Sequence, residues 1–142
     1  MGGVERLVAD LSAAVTDTNA LMFYAAGSPR LGKRAAVHFA ACERQQALLY
    51  VPVVVVWECV LLVRRGRLSF AKDVPAFFDD LFSNPAFQPY DLTVPQVLLA
   101  AEMAFTQDPF DALICAAAAD LELPLMTGDT EITASKRIRV LW

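Results

Sequence analysis

Asp17, Glu58, Asp111 and Asp129 are the side chains whose type and placement offer a shared chemistry. Two of them lie in one unit, Asp108-Pro-Phe-Asp-Ala-Leu-Ile-Cys-Ala-Ala-Ala-Ala-Asp-Leu-Glu-Leu-Pro-Leu-Met-Thr-Gly-Asp129. Asp108 has the acceptor side chain of an N-cap, Pro109 suits the first helical position, and Asp111 falls in the first turn, where carboxylates are favoured. Leu113 to Leu121 continue the helix, with Ile114, Ala118 and Leu121 on the face predicted to meet a sheet. Leu123 to Thr127 then reads as a buried strand that Gly128 and Asp129 close. One acid therefore stands at a helix start and another just past the carboxyl end of a strand, the edge at which open α/β sheets bind ligands.

Each acid has a plainer reading when taken alone. Asp108 is fully explained as a cap, Asp111 as an acid favoured by the helix dipole, and Asp17 and Asp129 as turn residues. Glu58 resists this treatment, because it stands inside an apolar helix, where a carboxylate is rarely buried unless paired or bound to a cation. Four carboxylates in one crevice repel unless a cation neutralises them, and hard oxygen donors select Mg²⁺, or Mn²⁺, over zinc. Such a site orients or deprotonates a water and stabilises charge on a phosphodiester. Arg30, Lys33 and Arg34, then Arg64, Arg65 and Arg67, then Lys136, Arg137 and Arg139 form basic clusters. The first two clusters are candidates to hold flanking phosphates, and all three have a plainer reading as solvated helix ends or loops.

The elements that must position these acids alternate between short apolar strands and helices. Ala13 to Thr16 reads as a buried strand with Asp17 at its carboxyl end, and a helix that Asn19 is placed to cap runs to Gly27. Leu31 to Gln46 is helical, with Ala35, Phe39 and Cys42 on one face, and Ala47 to Val51 is a strand. The valine-rich run from Pro52 to Gly66 is ambiguous between strand and helix. A helix from about Val54 to Arg65 is chosen, because Pro52 can open it and Gly66 can close it. Val74 to Phe82 is a helix with an aromatic stripe, Pro85 to Leu92 a loop and short strand, Pro95 to Phe105 a helix, and Ile138 to Leu141 an edge strand. This order predicts a three-layer α/β/α sandwich around a mainly parallel sheet of four to five short strands. The only histidine, His38, has no nucleophile motif to serve and reads as a packing or surface residue.

The 142 residues suit a single domain spanning 1–142, with residues 1–12 as an N-terminal helical extension marked by Val4, Leu7, Val8 and Leu11. A net charge of -4 and a pI near 4.9 argue against a general basic nucleic-acid binder while permitting a local basic patch. Cys42, Cys59 and Cys115 are scattered in apolar surroundings and read as buried small hydrophobes of a reducing compartment. The N-terminus lacks the form of a signal peptide, which makes a cytoplasmic location the expectation. Ala47 to Val63 is the longest apolar run, but Pro52 and the central Glu58 argue against a membrane span.

Several pieces together resemble PIN domains, and within them the VapC-like toxin ribonucleases of toxin–antitoxin modules. They are Val15-Thr-Asp-Thr-Asn-Ala-Leu21, Pro29-Arg-Leu-Gly-Lys-Arg-Ala35, Trp57-Glu58 leading to Arg65-Gly-Arg-Leu68, Asp108-Pro-Phe-Asp111 with the helix it opens, Met126-Thr-Gly-Asp129, and Val140-Leu-Trp142. The resemblance runs from about Ala13 to the end. It implies that Asp17, Glu58, Asp111 and Asp129 form a metal-binding catalytic quartet supported by Asn19, Asp108 and Thr127. It also implies Mg²⁺-dependent cleavage of RNA, a homodimer, and inhibition by a cognate antitoxin that occupies the active-site groove. Arg30, Lys33, Arg34, Arg64 and Arg65 are then the candidate RNA contacts. Two positions depart from the pattern: Ala112 follows the second Asp of Asp-Pro-Phe-Asp, where related sequences often carry Arg, and Pro52-Val53 replaces a Ser-containing turn. Two other readings compete. One is a PIN module that binds RNA or a protein without cleaving. The other is a receiver-like phosphoacceptor domain, which would need a lysine beside the acids that is not apparent near Asp129.

Overall fold

Ala14, Val15 and Thr16 are buried in succession, and because successive strand residues face opposite sides, both faces of their sheet must be covered. The computed structural model describes residues 11–142, and the N-terminal helix expected from Val4 lies outside them. The strands are β1 (Ser12–Thr16), β2 (Ala47–Pro52), β3 (Phe87–Tyr90), β4 (Leu125–Met126) and β5 (Val140–Leu141). They form one sheet in the order β3-β2-β1-β4-β5, and every neighbouring pair is parallel. Seven helices among the described residues complete an α/β/α arrangement: α1 (Thr18–Ala26), α2 (Lys33–Glu43), α3 (Val53–Arg64), α4 (Val74–Phe82), α5 (Val94–Ala100), α6 (Pro109–Leu121) and α7 (Thr130–Ser135). The predicted three-layer fold is the observed one, with the sheet wholly rather than mainly parallel.

The differences from expectation are local. Asn19 does not cap α1; Asp17 does, with its Oδ1 accepting from the backbone N–H of Ala20 at 2.7 Å. The helix expected to reach Phe105 stops at Ala100, and the strand read from Leu123 to Thr127 pairs only at Leu125 and Met126. A short parallel strand loses its ladder wherever its neighbour departs, and β5 meets β4 over those two residues alone. α7 is an element the sequence reading did not contain. The valine-rich segment is helical, as chosen, and Gly66 beyond it takes φ 67°, a left-handed conformation that suits glycine. Leu121 is only partly buried, whereas Ile114, Cys115, Ala116, Ala117 and Ala118 are buried, so α6 approaches through its small residues.

The core runs through both layers, with Phe39, Leu21, Leu49, Ile114, Leu125, Met126 and Ile132 all below 2% exposure. Cys42, Cys59 and Cys115 are buried free thiols within it, as read from the sequence. His38 is 7% exposed, and its Nε2 lies 2.8 Å from the carbonyl oxygen of Leu48, which makes it a satisfied packing residue. The apolar run from Ala47 divides between β2 and α3. Among the described residues no helix is long and apolar enough to cross a membrane.

Candidate functional site

Strand order reverses beside β1. The chain moves outward through β2 and β3 on one side and through β4 and β5 on the other, which opens a crevice at the carboxyl ends of β1 and β4. Asp17 is the residue after β1, and its backbone N–H donates to the carbonyl of Met126 at 3.1 Å, so it is pinned to the end of β4. Asp129 lies just beyond β4. Thr127, fully buried between them, hydrogen-bonds the Asp17 carboxylate, and its Oγ1 accepts from the Asp129 N–H at 3.1 Å. One hydroxyl thus ties two of the acids together.

Asp17, Asp111, Asp129 and Asn19 line one cavity of about 300 Å³ at this crevice. Asp111 arrives from the first turn of α6, and Asn19 from the first turn of α1. Asp108 caps α6, accepting from Phe110 N–H at 2.8 Å and Asp111 N–H at 3.1 Å, and does not line the cavity. Asp129 caps α7 through Ile132 N–H at 2.9 Å. Three helix N-termini thus meet at the acidic crevice, and their dipoles offset part of the charge gathered there.

Glu58 projects from the middle of α3 and is half-buried. It does not line the cavity itself, but the hydroxyl of Thr18, the residue after Asp17, donates to its Oε1. This bond fastens α3 to the start of α1 and holds the fourth acid against the first. Thr18 is 4% exposed, and the sequence reading missed it. A hydroxyl residue directly after a candidate metal acid was the available signal.

The electrostatics are those of crowded, partly dehydrated carboxylates. Burial pushes Asp111 up to about 7, with Asp108, Asp129, Glu58 and Asp17 adding repulsion. Asp17 rises to about 6, mainly through burial and against hydrogen bonds from Thr127 and Ala20, with Asp129 and Glu58 contributing. Glu58 is raised by burial, opposed by the Thr18 hydroxyl, and raised further by Asp108. Among the described residues the ion pair found, Lys72 with Asp80 at 3.2 Å, involves none of these acids. The donor set is all oxygen, and its excess negative charge fits a hard divalent cation. The fit is open rather than closed: among the described residues no three His, Cys, Asp or Glu side chains stand tightly enough together to hold an ion unaided. Mg²⁺ tolerates this, since it retains several of its waters.

Of the candidate RNA contacts, only Arg30 reaches the acidic cavity, with its guanidinium 4.7 Å from the centroid of the Phe23 ring. Lys33 and Arg34 open α2 and line a separate groove with Val37 and His38. Arg64 and Arg65 close α3 at its far end, where the Arg64 guanidinium lies 5.6 Å over Trp57. Phe23, Gly128 and Trp142 complete the cavity wall. The sequence reading used Trp142 only as part of a resemblance and gave Phe23 no role.

A family match to the PIN domain covers residues 14–137. No curated protein sequence matches the chain. Among solved structures, VapBC2 from Rickettsia felis bound to a DNA fragment from its promoter superposes with a TM-score of 0.66 at 13% identity, over 90% of this chain and 96% of that one. FitAcB from Neisseria gonorrhoeae gives 0.62 at 18%, over 91% and 96%. VapC20 from Mycobacterium tuberculosis, described as a sarcin-ricin loop cleaving toxin, gives 0.63 at 17%, over 92% and 100%. At these identities the likeness is one of fold.

Proposed function

The chain belongs to the PIN domain family, and from that premise we propose that it is a VapC-like toxin, a metal-dependent endoribonuclease that hydrolyses RNA phosphodiester bonds and is neutralised by a cognate antitoxin. The observation that carries this reading is the cavity at the strand-order reversal, where Asp17, Asp111 and Asp129 converge and Glu58 is tied to them through Thr18. Structures similar in fold include a toxin–antitoxin complex from Klebsiella pneumoniae and a toxin described as sarcin-ricin loop cleaving, which supports this reading. A homodimer and a cytoplasmic location belong to the same proposal.

Asp17, Glu58, Asp111 and Asp129 would hold Mg²⁺, or Mn²⁺ in its place. The ion, when bound, supplies positive charge for the phosphodiester and lowers the pKa of a bound water. The protein's own contribution is positional. Thr127 fixes the spacing of Asp17 and Asp129, Thr18 fixes Glu58, and the helix caps hold one oxygen each of Asp17 and Asp129 while both residues line the cavity. Asp111, crowded by burial and the neighbouring acids, adds a further oxygen donor at the cavity wall. Asn19 offers a donor for a phosphate oxygen, and Arg30 offers charge.

The test is cleavage of single-stranded RNA by the purified chain with and without Mg²⁺. Asp17→Asn and Asp129→Asn each retain a cap acceptor while removing a charge, so activity should fall at least about a hundredfold, roughly 3 kcal/mol of barrier, with the circular dichroism spectrum unchanged. Undiminished cleavage by both variants would exclude the assignment. The open arrangement of the acids favours one second reading, a PIN module that binds RNA or a protein without cleaving. Binding by the native chain with no turnover in Mg²⁺ or Mn²⁺ would select it.

A further inference from the structure

Part of the wall of this acidic cavity is aromatic, and nothing in ion binding calls for it. Trp142 is seated by close backbone approaches: a Cβ on Gly128 would lie 2.8 Å from an indole carbon, and one on Gly32 would lie 2.5 Å from the Trp142 carbonyl carbon. Real Cβ contacts are not that short, so both positions need glycine for the indole to sit where it does. The Trp142 carbonyl accepts from the Arg34 backbone N–H at 3.1 Å. The Phe23 ring stands 6.3 Å from the indole, tilted by 58°, and the Arg30 guanidinium caps Phe23. The indole and the phenyl ring are only half-buried and the guanidinium is exposed, so a rigid aromatic surface remains open to whatever enters beside the carboxylates.

We infer that Trp142, Phe23 and Arg30 form a nucleobase subsite, in which an unpaired base adjoining the scissile phosphate lies against the two rings and the planar cation. The inference rests on the proposed nuclease reading for the presence of RNA in the cavity, and it deepens that reading by naming the substrate form. Aromatic faces and guanidinium planes bind bases that are splayed out of a helix, and they tolerate any base because each has a π face. The volume of about 300 Å³ lies at the small end of ligand pockets and suits one base with its phosphate rather than a duplex. The subsite therefore selects single-stranded or looped RNA. Arg30 serves the stack and the phosphate together, the only member of its basic cluster placed to do so.

Trp57 and Trp142 are the two tryptophans of the chain, and Trp57 is 48% exposed, so Trp57→Phe isolates the Trp142 fluorescence with little effect on packing. This variant is mixed by stopped flow, in Mg²⁺, with a short single-stranded oligoribonucleotide or with an abasic oligomer of equal length and charge. The base-bearing oligomer should quench the indole before cleavage and the abasic one should not. Adding Phe23→Leu should weaken the quenching titration roughly five- to a hundredfold, the range of one stacked base. Equal responses to the two oligomers, or none to either, would overturn the subsite. Base-dependent quenching without cleavage would keep the subsite and reject the nuclease reading; cleavage without base-dependent quenching would do the reverse.

Discussion

Asp17 and Asp129 each commit one oxygen to a helix cap while lining the cavity, whereas Asp108 only caps. An acid that looks like a plain cap in the sequence can therefore also face a ligand, and the two readings do not compete. Thr18 acts through Glu58 and is a positioning residue. Thr18→Val should lower the cleavage rate while Thr18→Ser restores it, and the valine variant should lose about 1 kcal/mol in denaturant titration, because a half-buried carboxylate forfeits its hydroxyl partner. The raised acids set a pH dependence for the metal-free protein. Asp111 and Asp17 bind protons more tightly when folded, with values of about 7 and 6 against 3.8. Their contribution to stability is thus fully present below about pH 4 and is lost as pH rises through 6 to 7. In EDTA, Tm should fall between pH 5 and pH 8, and Asp111→Asn should flatten that fall, raising Tm at pH 8 but not at pH 5. A native profile that rises toward pH 8 would contradict the crowding of these carboxylates.

At the scale of elements, the site depends on where helices begin. α1, α6 and α7 each start at the crevice with an acidic cap, and each cap contributes about 1 kcal/mol to its helix while aiming a partial positive charge at the acids. α7 escaped the sequence reading because Thr130–Ser135 is too short for helical periodicity to register, although Asp129 before Thr-Glu was a usable start signal. The chain end matters as much: β5 delivers Trp142 onto Gly32 and Gly128. Gly128→Ala should displace the indole and destabilise the protein by about 1–3 kcal/mol, measured as a lower urea midpoint with an unchanged m-value. A neutral result would mean that the indole is free to move.

For the whole molecule, the reversal of strand order between β1 and β4 is what turns separate acids into one site. Asp17 and Asp129 are far apart in sequence and meet only because β4 returns to the free side of β1. The molecule also leaves apolar side chains uncovered on α5, with Val94 72%, Val97 46% and Leu98 66% exposed, and Leu92 beside them 42% exposed. Val94, Val97 and Leu98 share one stripe of this helix by their i, i+3, i+4 spacing, which is where the homodimer proposed above would be tested first. Leu98→Lys should shift sedimentation from dimer to monomer with the circular dichroism spectrum preserved. Dimerisation unaffected by this charge would put the contact elsewhere.

The amino-acid sequence determined the alternation of elements, the identity of the acids and the helical state of the valine-rich segment, because local caps, periodicity and an uncomfortable glutamate are all short-range signals. It also carried the family pattern from Ala13 onward. Only the tertiary structure decided which basic residues approach the acids, that Thr18 and Thr127 bind them together, and that a tryptophan at the chain end walls their cavity. Those outcomes come from strand order and from backbone approach at two glycines. Contacts of that kind join residues remote in the chain, and no local propensity encodes them.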